Sequence, residues 1–515
     1  MHEDLTRRHL FGLAGGTAAG AAGLGASGCS VLHFGSTATQ ATSVAAYSAG
    51  PPFKSRPDLT PPHITVRRSG VKSNPRFIFL NAPYSGPGHG GAYIIDPRGH
   101  FVWFGPNTAA EHRLNFSVQS LNGAPVLTWF EGLVVEGWGE GDLVIANNHY
   151  NVIHRIHAVG NQKADFHEFN VTSRGTVYVT IYRRHSGVDL RRFGGPVDGH
   201  LVSGVTQEID PVTNKKLWEW DSWAPSNPHV ALSESYQRAT GGDGGHGTAA
   251  SPYNYFHINS VCDVADGSGD VLISGRNTFT VYRVHKPTGH IVWRLNGKKS
   301  NFTFASPRAK FAWQHHVRLV PLGTNPIGGM TVFDNGVPRE PQSRALLLAV
   351  NQTTRHVELK KAFVHPHTPY HSGAMGSAQL LPDGRMFVCW GTDPHFSEFA
   401  ANGNLLLDGD ITKGDPSYRG FTENWVGQPK TKPAAAARFR SGGATVYASW
   451  NGATEVRSWV VFAGRTAGNL HKIAKANKSG FETAIEVSNR GPYFAVQALD
   501  AKGNGLGKSP RVKIR

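Results

Sequence analysis

The chain has 515 residues, 17% of them charged and 39% hydrophobic, with a formal net charge of +16. That balance excludes a disordered chain, and the length exceeds one ordinary core, so more than one domain is expected. The positive charge favours anionic partners or surfaces, but Lys and Arg are scattered with no basic run, which argues against nucleic-acid binding.

The N-terminus reads as an address rather than structure. Thr6-Arg7-Arg8-His9-Leu10-Phe11 is a twin-arginine pattern, and it leads into a Gly/Ala stretch from Gly12 to Gly28. That stretch is too poor in large apolar residues for a spanning helix. Ala26-Ser27-Gly28-Cys29 resembles a bacterial lipobox. Residues 1–28 therefore read as an export signal, and Cys29 as the lipidated first residue of an extracytoplasmic, membrane-anchored protein. Cleavage nearby to release a free secreted protein is the alternative. Residues 29–62, rich in Ser, Thr, Ala, Gly and Pro, read as a flexible tether. Only Cys262 and Cys389 remain beyond Cys29, both in apolar strand-like runs, so buried free thiols are expected.

From 63 to 425 the pattern is short apolar runs divided by Gly, Pro, Asn and Asp, with no sustained helical periodicity. The fold class is all-β. One unit recurs, a strand, a proline turn and a strand ending in tryptophan. It is seen in Tyr93–Trp103, in Glu208–Trp218 and in Tyr282–Trp293, with a degenerate copy over Phe399–Leu407. Proline presets the first central φ of such a turn, and Gly or Asn supplies the left-handed residue. Recurrent hairpins suggest the blades of a β-propeller, about six for this length; a two-sheet sandwich explains them less well. Pro429 to Pro433 reads as a linker. Over 430–515, Thr445–Trp450, Ser458–Phe462 and Tyr493–Ala498 alternate with period two, which resembles a fibronectin type III sandwich with Trp450 in its core.

Candidate chemistry lies in the body. His167 sits in Asp165-Phe166-His167-Glu168-Phe169, and His257 in Tyr255-Phe256-His257-Ile258-Asn259-Ser260. Arg276 closes Val271-Leu272-Ile273-Ser274-Gly275, and His315 follows Trp313-Gln314 with His316 beside it. Each alone has a structural explanation: a hydrogen-bonded turn histidine, a core histidine, a surface ion pair. Together, strand-end histidines with one arginine suit the transfer of a tetrahedral anionic group. None of the 26 histidines forms a His-Glu-x-x-His pattern, no Gly-x-Ser-x-Gly elbow precedes a helix, and no phosphate loop is present.

These segments, with Gly289–Lys298, Phe311–His315 and Val332–Gly336, resemble the arylsulfate sulfotransferase family over roughly residues 60–410, in particular its actinobacterial and fungal branch. The resemblance implies a six-bladed propeller with the active site in its central channel. It also implies sulfuryl transfer from an aryl sulfate to a phenol through a sulfohistidine, without phosphoadenosine phosphosulfate, any other cofactor or a metal. By motif, His315 matches the nucleophile and His167, His257 and Arg276 the sulfuryl-binding groups. Asn259, Gln314 and Asn335 are expected at the substrate. The chain departs from the enterobacterial type in carrying a C-terminal sandwich and no obvious N-terminal one, so oligomeric contacts do not carry over. A sulfate-ester hydrolase in the same pocket and a non-catalytic envelope binding protein are the alternative functions.

Overall fold

The computed structural model describes residues 52–68, 76–83, 90–108, 111–223, 229–336, 340–411 and 415–514. The twin-arginine segment and Cys29 lie outside the described residues. What is described is almost entirely antiparallel β-sheet, interrupted by single turns of 3-10 helix.

Between residues 64 and 423 the strands form six sheets of four or five strands. Two of them are completed from the opposite end of the chain. Strand Ile64–Arg68 pairs with Leu405–Ile411 in the last sheet, and Phe421–Glu423 pairs with Phe77–Ala82 in the first. These two pairings tie the ends of the body together through backbone hydrogen bonds. The inner strands His112–Leu121, Asp165–Val171, Ile258–Asp263, His315–Leu322 and Ser377–Leu380 contact one another in chain order. Ser377 and Gln379 then bond to residues 420 and 422, which closes the series back onto the first sheet.

The recurring hairpins are the outer strand pairs of four of these sheets. In the first, Asp96 N–H bonds His100 O, Gly99 N–H bonds Asp96 O, and Gly99 takes φ +87°, which glycine adopts without a Cβ clash. The other two sheets turn through Asn147–Asn151 and Asn351–Arg355, which lack the proline, so the motif passes over them. Leucine, valine and aromatic side chains between sheets build the core, as in the layer of Trp293, Leu295, Val332, Leu346 and Leu348. Cys262 and Cys389 are free and buried.

Residues 434–513 form two further sheets over a core of Val446, Trp459, Val461, Ile485, Phe494 and Val496. Trp459, not Trp450, is the core tryptophan. Trp450 lies one residue past strand Gly443–Ser449 and is only half-buried, with its indole N–H bonded to Thr431 Oγ1.

The expected tether is also shorter than its composition suggests. Phe53 stacks on Phe481 at 4.2 Å, Ser55 N–H donates to Glu482 at 2.5 Å, and Leu59 is buried with Ile78 and Leu80. Low-complexity composition weakens an independent core, but it does not prevent single apolar residues from docking on a neighbouring one. The residues ahead of the expected linker are packed: Trp425 is buried and its indole bonds Tyr150 Oη, while Tyr150 Oη–H donates to Gly452 O.

Candidate active site

The inner strands carry the candidate residues at irregularities in their pairing. Asp165 pairs with Thr180 and Phe169 with Val179, so Phe166, His167 and Glu168 fall in a bulge. Ile258 pairs with Gly275 and Ser260 with Ser274, leaving Asn259 as the extra residue. His315 pairs with Phe333 and Arg318 with Thr331, which places the same break at His316. A bulge re-aims side chains that a regular pleat would send to alternating faces. His257, Phe279, Trp313, His316 and Met375 all have φ between +49° and +66°. Left-handed backbone is unfavourable for residues with a Cβ, and its concentration here is stored local strain.

The three histidines and the arginine are brought together. The rings of His167 and His257 meet edge to face with centroids 4.9 Å apart. His315 is 1% exposed, Arg276 2% and His167 3%, while His257 and Trp313 are half-buried and form the more open side. The Arg276 guanidinium lies 4.9 Å from the centroid of the Trp313 ring. Its Nη atoms donate to Asn277 Oδ1, Asp243 Oδ2 and Gly373 O, and its buried Nε has no partner among the described residues.

Neighbouring groups set the protonation of each ring. His315 Nδ1 lies 2.7 Å from Asn335 Oδ1, and the Met375 N–H reaches His315 Nε2 at 3.2 Å. The Asn335 amide nitrogen is already committed to Ser372 O and Met375 O. His315 therefore carries its proton on Nδ1 and a lone pair on Nε2. Burial, Arg276 and His167 hold its pKa well below the usual histidine value, against the opposing Asn335 bond. His257 Nδ1 accepts from Asn254 Nδ2 at 2.7 Å, which leaves N–H on Nε2. Burial, His167, Arg276 and His315 push its pKa well down too. His167 has the opposite partner, a carboxylate: its Nδ1 lies 2.6 and 2.7 Å from the two Asp165 oxygens.

The remaining expected residues lie beside the cluster with their amides largely engaged by protein groups. Gln314 Nε2 donates to Ser274 Oγ and Gly275 O, and so braces the strand that ends at Arg276. Asn335 braces His315. Asn259 Nδ2 donates to Gln314 O, and its Oδ1 is buried without a partner among the described residues. Asn335 thus reads as a support rather than a substrate contact, whereas Gln314 Oε1, like Asn259 Oδ1, is buried without a partner among the described residues. His316 points elsewhere, bonding Ala378 O through Nδ1 and packing on Phe421.

Sequence reading did not assign Asp165, Asn254, Met375, Tyr418 or Arg419. Tyr418 Oη–H donates to His167 O. Arg419 pairs with Glu168 at 3.0 Å and donates to Asn259 O, with Arg318 completing the buried ion group. Burial raises the Glu168 pKa, but Arg318 and Arg419 more than offset it and hold the carboxyl below its usual range. Asp165 and Asn254 had a local signal, lying two and three residues from a candidate histidine. Tyr418 and Arg419 had none, since some 250 residues separate them from their partners.

An all-β protein that gathers three histidines and an arginine where its inner strands meet fits anionic group transfer. Residues 117–413, more than half of the chain, match the family model Arylsulfotransferase (ASST), and the chain belongs to that family. No curated protein matches it. Among solved structures, a Bacteroides caccae protein of unknown function superposes with TM-score 0.40 and 11% identity, covering 68% of this chain and 99% of that one. A streptogramin B lyase gives TM-score 0.34 and 8% identity over 68% and 88%. The β-propeller domain of Cps50 (Swd1) from Myceliophteria thermophila gives 0.30 and 10% over 66% and 97%. Superpositions of this size define neither a shared architecture nor a shared site.

Proposed function

We propose that this arylsulfotransferase moves a sulfuryl group from an aryl sulfate donor to a phenolic acceptor by way of a sulfohistidine on His315. The observation that carries the reading is the state of His315: a buried neutral imidazole, its Nε2 lone pair defined by the Asn335 bond, within the electrostatic reach of Arg276. Neutral imidazole is a good nucleophile near neutral pH. Attack requires Nε2 to exchange its Met375 N–H contact for sulfur. Sulfuryl transfer, like phosphoryl transfer, spreads negative charge over equatorial oxygens, and fixed donors lower its barrier. Arg276 through Nε and His257 through Nε2–H are the donors in this reading. The half-buried Trp313 offers a face to an aryl ring.

The six sheets of residues 64–423 are read here as blades of one propeller, with the inner strands lining its channel and residues 430–515 as a fibronectin type III-like appendage. Residues 1–28 are read as a twin-arginine signal and Cys29 as a lipid anchor, which would hold the enzyme at the outer face of the cytoplasmic membrane. A chromogenic aryl sulfate assayed with and without added phenol tests the activity. A new sulfate ester with ping-pong kinetics is the expected result. Release of free sulfate alone would make the protein a hydrolase, and wild-type exchange by His315→Ala would remove the nucleophile.

A further inference from the structure

The three histidines of the site do not share one electrostatic environment. His257 Nδ1 meets an amide nitrogen, and the His315 ring nitrogens meet an amide oxygen and a backbone N–H. Among the described residues, only His167 of the three has a carboxylate against its ring. Asp165 is fully buried, and His167 is its ion-pair partner among the described residues. The same carboxylate also accepts from the His167 backbone N–H at 3.0 Å, so residue 165 grips residue 167 by both backbone and ring. The ring is further fixed by Phe166 stacked at 4.3 Å and by Tyr418 edge-on at 5.4 Å. A buried carboxylate held by no Lys or Arg is costly, and a proton shared with an adjacent imidazole offsets that cost. The arrangement directs Nδ1–H to Asp165. It leaves Nε2, which has no hydrogen-bond partner among the described residues, as the working nitrogen beside His257.

We infer that Asp165 is a positioning residue that makes His167 the proton carrier of the transfer cycle, and leaves His257 as a neutral hydrogen-bond donor. This rests on the sulfohistidine reading above. In the first half-reaction His315 Nε2 forms a bond to sulfur while the sulfur–aryloxygen bond breaks. The departing oxygen takes the Nε2 proton of the His167 imidazolium, whose charge Asp165 balances, and leaves as a phenol. In the return half-reaction the acceptor phenol gives its proton to His167 Nε2 as its oxygen bonds sulfur and the nitrogen–sulfur bond breaks. The proton lost in the first half is regained in the second, so the cycle needs no other acid or base.

Such a role makes a demand that a purely structural one does not. A proton donor matters most when the leaving phenolate is basic and least when it is already stable. The test is kcat/KM for Asp165→Asn and His167→Gln across aryl sulfates whose leaving groups run from 4-nitrophenol to unsubstituted phenol. The expected loss is about 10²–10⁴-fold with phenyl sulfate and falls to within about tenfold with 4-nitrophenyl sulfate, with a steeper dependence on leaving-group pKa than wild type. A loss of equal size across the whole series, or no loss, would overturn the assignment. If Asp165→Asn does not fold by thermal melt, His167→Gln decides alone. The two ideas fail separately. A variant that still labels His315 from 4-nitrophenyl sulfate but shows a flat series refutes the proton carrier only. Wild-type turnover by His315→Ala refutes the sulfohistidine itself.

Discussion

Residues 434–513 and the meeting point of the inner strands bury their side chains in different ways. The C-terminal sheets enclose Val446, Trp459, Val461, Phe494 and Val496, where burial of apolar area is the stabilising term. The inner strands enclose Asp165, His167, Glu168, Asn259, Arg276, His315 and Arg419. Burial opposes each of those polar groups, and hydrogen bonds and ion pairs make it tolerable. Where the pairing is incomplete, at Arg276 Nε and Asn259 Oδ1, a site has capacity left for a ligand. Among the described residues of the C-terminal sheets one buried polar side-chain atom, Trp459 Nε1, lacks a partner, whereas at the meeting point Arg276 Nε, Asn259 Oδ1, Gln314 Oε1 and Arg419 Nε lack one together.

The contrast predicts that chemistry and stability break apart under mutation. The largest effect is expected from His315→Ala, with kcat/KM for transfer falling by at least about 10⁴-fold and circular dichroism unchanged. Trp459→Ala should do the reverse. Its cavity is expected to lower unfolding free energy by about 3–5 kcal/mol, read by urea denaturation, while the folded fraction keeps wild-type kcat/KM. Arg276→Ala should cost about 10²–10³ in kcat, as for removal of one preorganised donor; an unchanged kcat would place the sulfuryl oxygens elsewhere.

The smallest effect concerns pH. His315 and His316 are buried, and burial first of all holds both pKa values well below the usual one. The unfolded chain then binds protons that the folded chain refuses as pH drops below about 6.5. Stability should be full above that value and decline below it, by up to about 1.4 kcal/mol per pH unit per histidine. Urea midpoints between pH 7.5 and 5 check the sign, and His316→Gln should flatten the slope without abolishing transfer.

Much of this was legible before any coordinates. Proline turns between short apolar runs point to antiparallel hairpins, because the turn residues preset the backbone angles. The aromatic-flanked histidines and the strand-end arginine were visible as a set. What stayed hidden depended on long-range pairing. Trp450 and Trp459 look alike in a period-two pattern, and only the end of strand Gly443–Ser449 separates them. Phe53 and Leu59 sit in a stretch whose composition resembles a linker, and their burial depends on partners far along the chain. Asn335 was expected at the substrate, whereas its amide turns to backbone carbonyls and to His315; Gln314 was expected there too, and its Nε2 is engaged while its Oε1 is left without a partner among the described residues.

The order of residues alone therefore settled the all-β character and the family, and it singled out the histidines and the arginine that the fold brings together, since these depend on local pattern and residue chemistry. The tertiary structure decided which partner each histidine ring nitrogen meets, which histidine faces a carboxylate, and that Arg419 closes an ion group with Glu168. Those properties follow from distances between strands far apart in the chain, and the strength of an electrostatic contact depends on such distances and on burial, neither of which a sequence encodes position by position.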